Sequence, residues 1–538
     1  MTTAQSGLTN LIQFAIDRFQ AGDAEAAKSA CEQVISQDPG QPVALNLLAV
    51  LARNSKQWGK AEEIARFGLE KNPQSAQLAN TLGLVLLDRR KLQDAEEQFQ
   101  RANVLKPNRP DYLSNLGLTL QHQGRWEEAL ETFSMALDVD ANFMPARSAR
   151  ASVASDLAQF DTATADVNFA LKNGPKTPDL LNSMAKLALC QGDLDAAYKA
   201  YDAVVSMTNG MADAHVNRGL IRLLQGRVSE GWDDYRMRRR RRWGRPSERY
   251  SQVPLWQGES LSGKSILVWC EQGLGEAILC ASRINDLADQ ADTVVLECDP
   301  RLVNLFQRSL PGVMVVPEQE QPHPDIVEAS PTLQVPIVEL LAQGYQASLE
   351  RIRASGYLKA DPMKSAAIKE KYAGTANASL LVGLAWGSPN AATAREKGIP
   401  VKCWAPILDT PGVTFVNLQY GESRSAMADS ASKSGATLLD DLTIDLGGAV
   451  SSQADQIAAL DLVITVSNTT AHISGALGQE TWVLVPPIGP GSMWYWFTDR
   501  GDSPWYGSVE LLRRQMNGDD SFMVDVSTKL KDWVSQKT

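Results

Sequence analysis

The sequence predicts a helical solenoid followed by an α/β half with two parallel sheets, and three observations carry that prediction. Ala27, Ala61, Ala95, Ala129, Ala163 and Ala197 are spaced 34 residues apart, with Gly231 in the next slot. A second grid of the same step holds only Ala or Gly, at 15, 49, 83, 117, 151, 185 and 219. After residue 245 the apolar pattern changes from a helical period to short strand-like runs that alternate with helical stretches.

The two small-residue positions of each unit lie 12 residues apart, so they fall on different helices of one hairpin. Facing small side chains let two helices approach to about 8–10 Å. A third grid holds Pro39, Pro73, Pro107 and Pro175, with Ala141 and Asn209 in the remaining slots. A proline after the second helix removes an N–H donor and ends that element before the next unit. Bulkier side chains sit on a further grid, at Phe99, Phe133, Tyr201 and Tyr235. Such a hairpin buries its faces only by stacking on copies of itself. The pattern resembles the tetratricopeptide repeat (TPR) family over residues 8–245, as seven units. That resemblance implies a superhelix whose concave groove holds extended peptides. Asn80, Asn115 and Asn217 offer amides for pairing with a bound backbone. Leu47, Ala149 and Ser183 interrupt that ladder, and plain surface solvation of the three asparagines stays open.

Composition bounds the function. The 538 residues exceed one domain even after the solenoid is set aside. A net charge of −11 argues against a general nucleic-acid binder. No apolar run reaches the roughly 18 residues that a membrane span needs, and the start MTTAQSGLTN lacks a basic region followed by an apolar core. The six cysteines have no paired spacing, which suits reduced thiols and a cytoplasmic location. Four scattered histidines argue against a His-built metal site, and no metal is expected.

One basic run stands out: Arg236, Arg238 through Arg242, and Arg245, beside Trp232 and Trp243. It suits either a grip on phosphate or an acidic partner, or the docking of the solenoid onto the acidic half that follows. Docking is the favoured reading, because a helix that joins domains needs an interface.

Pro246, Pro254, Gly258 and Gly263 mark a linker over 246–264. Ser265–Cys270 then reads as a buried parallel strand that runs into Glu271-Gln-Gly-Leu-Gly-Glu276 and a helix. Thr293–Cys298, a helix from Arg301, and Gly312–Val316 follow. A second set begins at Leu380–Trp386 and continues with Thr414–Gln419, Leu462–Val466 and Trp482–Val485. The strand before Ser467 leads into Ser467-Asn-Thr-Thr-Ala-His472 at a helix start, an arrangement suited to a diphosphate. This gives a first Rossmann-like lobe over 265–365, a second over 376–520, and a terminal helix over 521–538.

These motifs resemble the heptosyltransferase-like glycosyltransferases of the two-lobed GT-B architecture over 250–515. The residues that carry the resemblance include the GLGE turn, Arg395-Glu-Lys397-Gly-Ile-Pro400, Leu418-Gln-Tyr420, Ala471–Gly478 and Asp502-Ser-Pro-Trp-Tyr506. The resemblance implies a metal-independent enzyme that transfers sugar from a nucleotide-sugar donor and uses no further cofactor. Glu276 stands where such enzymes carry a catalytic aspartate, so it is the implied base, with Glu271 in reserve. A helix-capping carboxylate is the structural alternative for Glu276. Gly273, Gly275, Trp386, Arg395, Lys397, Gln419, Ser467, Asn468, Thr469, Thr470 and His472 are the implied donor contacts. Ser467 replaces the family's usual aspartate. Trp386, Trp494 and Trp496 suit either stacking on the donor or core packing. A peptide-holding solenoid joined to a sugar transferase resembles protein O-glycosyltransferases, including bacterial enzymes that modify flagellin. A scaffold with inactive lobes, or an enzyme with a glycan or lipid acceptor, remain the alternatives.

Overall fold

The computed structural model describes residues 3–208, 211–240, 250–342, 356–375, 380–388, 397–489, 491–515 and 519–538. Arg395, Asn209 and the Arg241, Arg242, Trp243 and Arg245 part of the basic run lie outside the described residues. The chain divides into two compact units, Met1–Leu187 and Ala188–Thr538. The division falls inside a helix, Pro178–Cys190, rather than at the end of the repeats.

The first unit is a series of helix pairs: Thr3–Gln20 with Ala24–Gln37, Pro42–Asn54 with Trp58–Lys71, and Ala76–Asp88 with Leu92–Leu105. Pro110–His122 with Trp126–Val139 and Met144–Asp156 with Phe160–Asn173 follow. The grid alanines 27, 61, 95, 129 and 163 are fully buried. The glycines of the second grid are small because aromatic rings occupy the space beside them. A Cβ at Gly83 would stand 2.7 Å from the Phe99 ring, and one at Gly117 would stand 2.7 Å from the Phe133 ring. The grids are therefore packing code, one small residue per large one.

Polar side chains tie consecutive pairs together. Thr81 Oγ1 donates to Asn46 Oδ1 at 2.6 Å, Asn115 Nδ2 to Asn80 Oδ1 at 2.9 Å, and Ser183 Oγ to the Ser148 carbonyl at 2.7 Å. The buried carboxylate of Glu62 pairs with Arg89 and Lys91, and Glu96 at the same repeat position pairs with Arg125. One amide edge of both Asn80 and Asn115 is thus spent between helices instead of facing a ligand.

The second unit begins with the helices Leu194–Met207, Ala212–Leu224 and Val228–Tyr235. Ala212–Leu224 and Val228–Tyr235 form the last hairpin. Gly219 and Gly231 meet there so closely that a Cβ on either would lie 2.7 Å from the other's carbonyl oxygen.

Two parallel sheets follow. The first holds β1 (Ser265–Trp269), β2 (Thr293–Cys298), β3 (Met314–Pro317) and β4 (Leu333–Pro336), in the order β3-β2-β1-β4. The second holds β5 (Leu380–Ala385), β6 (Val413–Asn417), β7 (Leu438–Leu439), β8 (Leu462–Val466), β9 (Thr481–Val485) and β10 (Val509–Arg513), in the order β10-β9-β8-β5-β6-β7. Strands β4, β7 and β10 had no clear mark in the sequence. β4 is a four-residue strand with a buried glutamine, β7 has two residues, and β10 mixes apolar and charged side chains. The third strand starts at Met314 rather than Gly312, whose φ of 82° makes a turn.

Chain order reverses between β1 and β4 in the first sheet and between β5 and β8 in the second. The carboxyl ends of these strand pairs open the crevices where α/β folds bind ligands. The terminal helix Asp519–Lys537 places Met523, Val526, Leu530 and Trp533 in the core of the second sheet. A connecting segment runs between the sheets. The Lys359 amide donates to Ser309 Oγ, and the Leu358 and Asp361 amides donate to the Ala476 carbonyl and Asp455.

Candidate functional site

The first crevice receives the turn after β1. Gly273 caps the helix Leu274–Ala281, and its N–H donates to Glu276 Oε2 at 3.3 Å. Glu276 therefore lies on the first helical turn, half-buried, with its carboxylate folded back on the glycine turn. Burial raises its pKa, an effect that the nearby Lys397 charge opposes.

The second crevice receives the turn after β8. Asn468 caps the helix Thr469–Ala476, accepting from Thr465 Oγ1 at 3.0 Å and donating to the Gly387 carbonyl at 3.0 Å. Gln419 Oε1 accepts the Trp386 and Gly387 amides at 2.9 and 2.8 Å. Thr470 Oγ1 is buried and accepts from Gln453, whereas the half-buried Thr469 meets the Tyr420 hydroxyl at 3.4 Å. Ser467 Oγ accepts the Trp496 indole N–H at 2.8 Å. Buried Trp386 is part of the core around β5, and its indole nitrogen has no partner among the described residues.

The two turns meet. A Cβ on Gly275 would stand 2.6 Å from His472 Cδ2 and 3.1 Å from its Nε2, so only glycine fits there. His472 is buried, bonds through Nδ1 to the Tyr506 hydroxyl at 2.9 Å and stacks on Trp496 at a centroid distance of 5.2 Å. Burial, reinforced by the Lys397 charge, pushes its pKa down to about 3, so the imidazole is neutral at ordinary pH. The structure therefore joins Gly273, Gly275, Glu276, Lys397 and His472 at one place. Gln419, Ser467, Asn468 and Thr470 line the second turn, with their polar atoms bonded inside the protein. Asn80 and Asn115 belong to the first unit, and Asn217 lies on the last hairpin.

Trp496 and Tyr506 stand out in the sequence, but their part in holding these turns does not. Trp496 and Tyr506 belong to an aromatic group with Trp494, Tyr495, Phe497 and Trp505, all buried. The run of aromatics around 494–506 was the available signal, but periodicity does not tell which indole reaches which hydroxyl. The described part of the basic run docks. Arg238 Nη2 meets Glu271 Oε1 at 2.6 Å and Glu339 Oε1 at 3.0 Å, and Arg236 Nε meets Glu339 Oε2 at 2.9 Å. Glu271, the reserve base, is thereby committed to an ion pair. A cavity of about 570 Å³, bordered by Arg236, Arg239, Leu255, Trp269 and Gln334, lies beside this junction and includes neither Glu276 nor His472.

Tetratricopeptide-repeat models match residues 18–84, and a second such model matches 80–144 and 182–240. The helix pairs within these residues are tetratricopeptide repeats. Protein FlbA of Caulobacter vibrioides is 25% identical over 554 aligned positions, spanning 97% of this chain and 89% of that protein. The type IV pilus assembly protein PilF of Pseudomonas aeruginosa is 26% identical over 133 positions, 24% of this chain and 53% of its own. The solved structure of P. aeruginosa PilF overlays 40% of this chain and 97% of its own at 21% identity, with a TM-score of 0.35. The repeats suggest protein partners, and no described helix is long and apolar enough to cross a membrane.

Proposed function

We propose that the chain is a metal-independent glycosyltransferase that moves sugar from a nucleotide-sugar donor to Ser or Thr of a protein held by its TPR units. Flagellin is the specific client that the resemblance suggests, with the reaction in the cytoplasm. The observation that carries this reading is the meeting of the two turns, Gly275 against His472, with Glu276 and Lys397 beside them.

In this reading the acceptor hydroxyl oxygen attacks the anomeric carbon, and the bond from that carbon to the diphosphate oxygen breaks. Glu276 takes the hydroxyl proton, and the nucleoside diphosphate leaves with the electron pair. The raised pKa of Glu276 makes it a stronger base than an ordinary carboxylate. Lys397 and the start of the helix Thr469–Ala476 favour the negative charge that grows on the diphosphate. Neutral His472 adds no competing cation and offers a ring nitrogen for hydrogen bonding.

The test is transfer from a panel of nucleotide sugars to client protein, read by intact mass. Glu276→Gln should lower kcat by about 10²–10⁴-fold while the fold is retained. Its acid limb should lie above the usual carboxylate range in the parent protein, since activity grows as Glu276 loses its proton. An unchanged rate in Glu276→Gln removes the base assignment. No sugar mass with any donor, together with client binding, makes the chain a scaffold.

A further inference from the structure

We propose that the last TPR hairpin and the 3-10 turn Arg236–Arg240 that follows it supply two positioning residues, Tyr235 and Arg238, that set the turn carrying Glu276. This rests on the reading of Glu276 as the base and goes beyond it, since no repeat residue has a part in that chemistry.

Glu271 and Gln272 immediately precede the Gly273 N–H that holds the Glu276 carboxylate. Both are gripped from the hairpin. Arg238, with a side chain 6% exposed, meets Glu271 at 2.6 Å, and Gln272 Nε2 donates to the Tyr235 hydroxyl at 3.3 Å. The Arg238 guanidinium lies over the Tyr235 ring at 4.6 Å and donates to the Tyr235 carbonyl at 3.3 Å, so the two grips form one body. Glu339, just beyond β4, fixes that body from the other side through Arg238, Arg236 and the Trp232 indole N–H. The hairpin thus fills the first sheet's switch point with a cation held between carboxylates from the ends of β1 and β4.

The repeat grid sharpens the case. The same slot holds Phe99 and Phe133, whose rings pack against Gly83 and Gly117, and Tyr201 in the preceding unit. In the last unit the slot carries a hydroxyl, and that hydroxyl reaches the turn. Charge adds a second route. Arg238 lowers the pKa of Glu276 and Glu271 raises it, so losing either partner alone moves the base in opposite directions.

The experiment uses the full chain with Tyr235→Phe, Arg238→Met, Glu271→Gln and the Arg238→Met/Glu271→Gln pair. Transfer is followed as kcat and KM across pH, and hydrogen exchange is followed in peptides covering 271–281. Tyr235→Phe should lower kcat about threefold to tenfold with donor KM within twofold, and should speed exchange in the turn. Arg238→Met should move the acid limb to higher pH, Glu271→Gln to lower pH, and the pair should fall between. Native-like exchange and an unshifted acid limb in all four variants overturn the proposal. If the parent protein transfers no sugar, the reading of Glu276 fails and exchange in the turn alone decides: unchanged exchange in Tyr235→Phe and Arg238→Met overturns positioning, and faster exchange supports it.

Discussion

The two switch points of the second unit are held by different physics. At the first, Arg238 sits between Glu271 and Glu339, three charged groups with side chains at most 10% exposed. At the second, neutral groups hold the turns together: Gln419 on two amides, Asn468 on Gly387, Trp496 on Ser467, and Tyr506 on His472. Even the titratable member, His472, is kept uncharged by burial. A buried ion pair is costly to break singly and acts at a distance, whereas buried neutral bonds are local and geometrically strict. The charged point joins the end of the last hairpin to the first sheet. The neutral point shapes the turn where the resemblance puts the diphosphate, with the Lys397 charge nearby.

Three measurements bear on this contrast beyond those above. The largest effect is expected from Glu339→Ala, which takes one of its two carboxylates from Arg238 and removes the acceptor of the Trp232 indole. Losing one partner of a buried pair costs about 3–5 kcal/mol, readable by denaturant unfolding. A loss under about 1 kcal/mol would mean that charge does not hold the first switch point. Gln419→Leu comes next, since it leaves two amides at the end of β5 without an acceptor, at a cost of about 1–3 kcal/mol. Its effect should be nearly independent of salt, and a strong salt dependence breaks the comparison.

The third concerns a charged group of the second lobe. Asp441 bonds to Lys371, Tyr372 and Thr443. Burial works to raise its pKa, but these bonds outweigh it and bring it down to about 2. A depressed pKa stabilises the fold above the unfolded value near 4, and that stability is lost as pH falls from about 4 toward 2. Asp441→Asn should therefore cost about 2 kcal/mol at pH 7 and progressively less on acidification. A cost that does not shrink toward pH 2 removes the electrostatic account.

Much of the fold was legible because packing in a repeat is periodic. One Ala or Gly per helix, recurring every 34 residues, appears in the structure as buried contacts such as Gly83 on Phe99. The long buried strands β1, β2, β5 and β8 were legible as continuous apolar runs. β4 was not, because its place depends on pairing with β1 about 67 residues away rather than on its own four residues. In the candidate site, the glycine turn and the Ser467–His472 segment were visible as motifs. That Gly275 touches His472, that Ser467 serves Trp496, and that Glu271 is spent on Arg238 were not.

By itself the sequence determined the repeat, the alternation of strands and helices, and which residues were chemically able to act. Those properties are local or periodic, so neighbours along the chain suffice to specify them. Only the tertiary structure decided which of the able residues meet, because contacts across 33, 101 or 197 positions, as in Arg238–Glu271, Arg238–Glu339 and Gly275–His472, follow from long-range packing that no window of sequence contains.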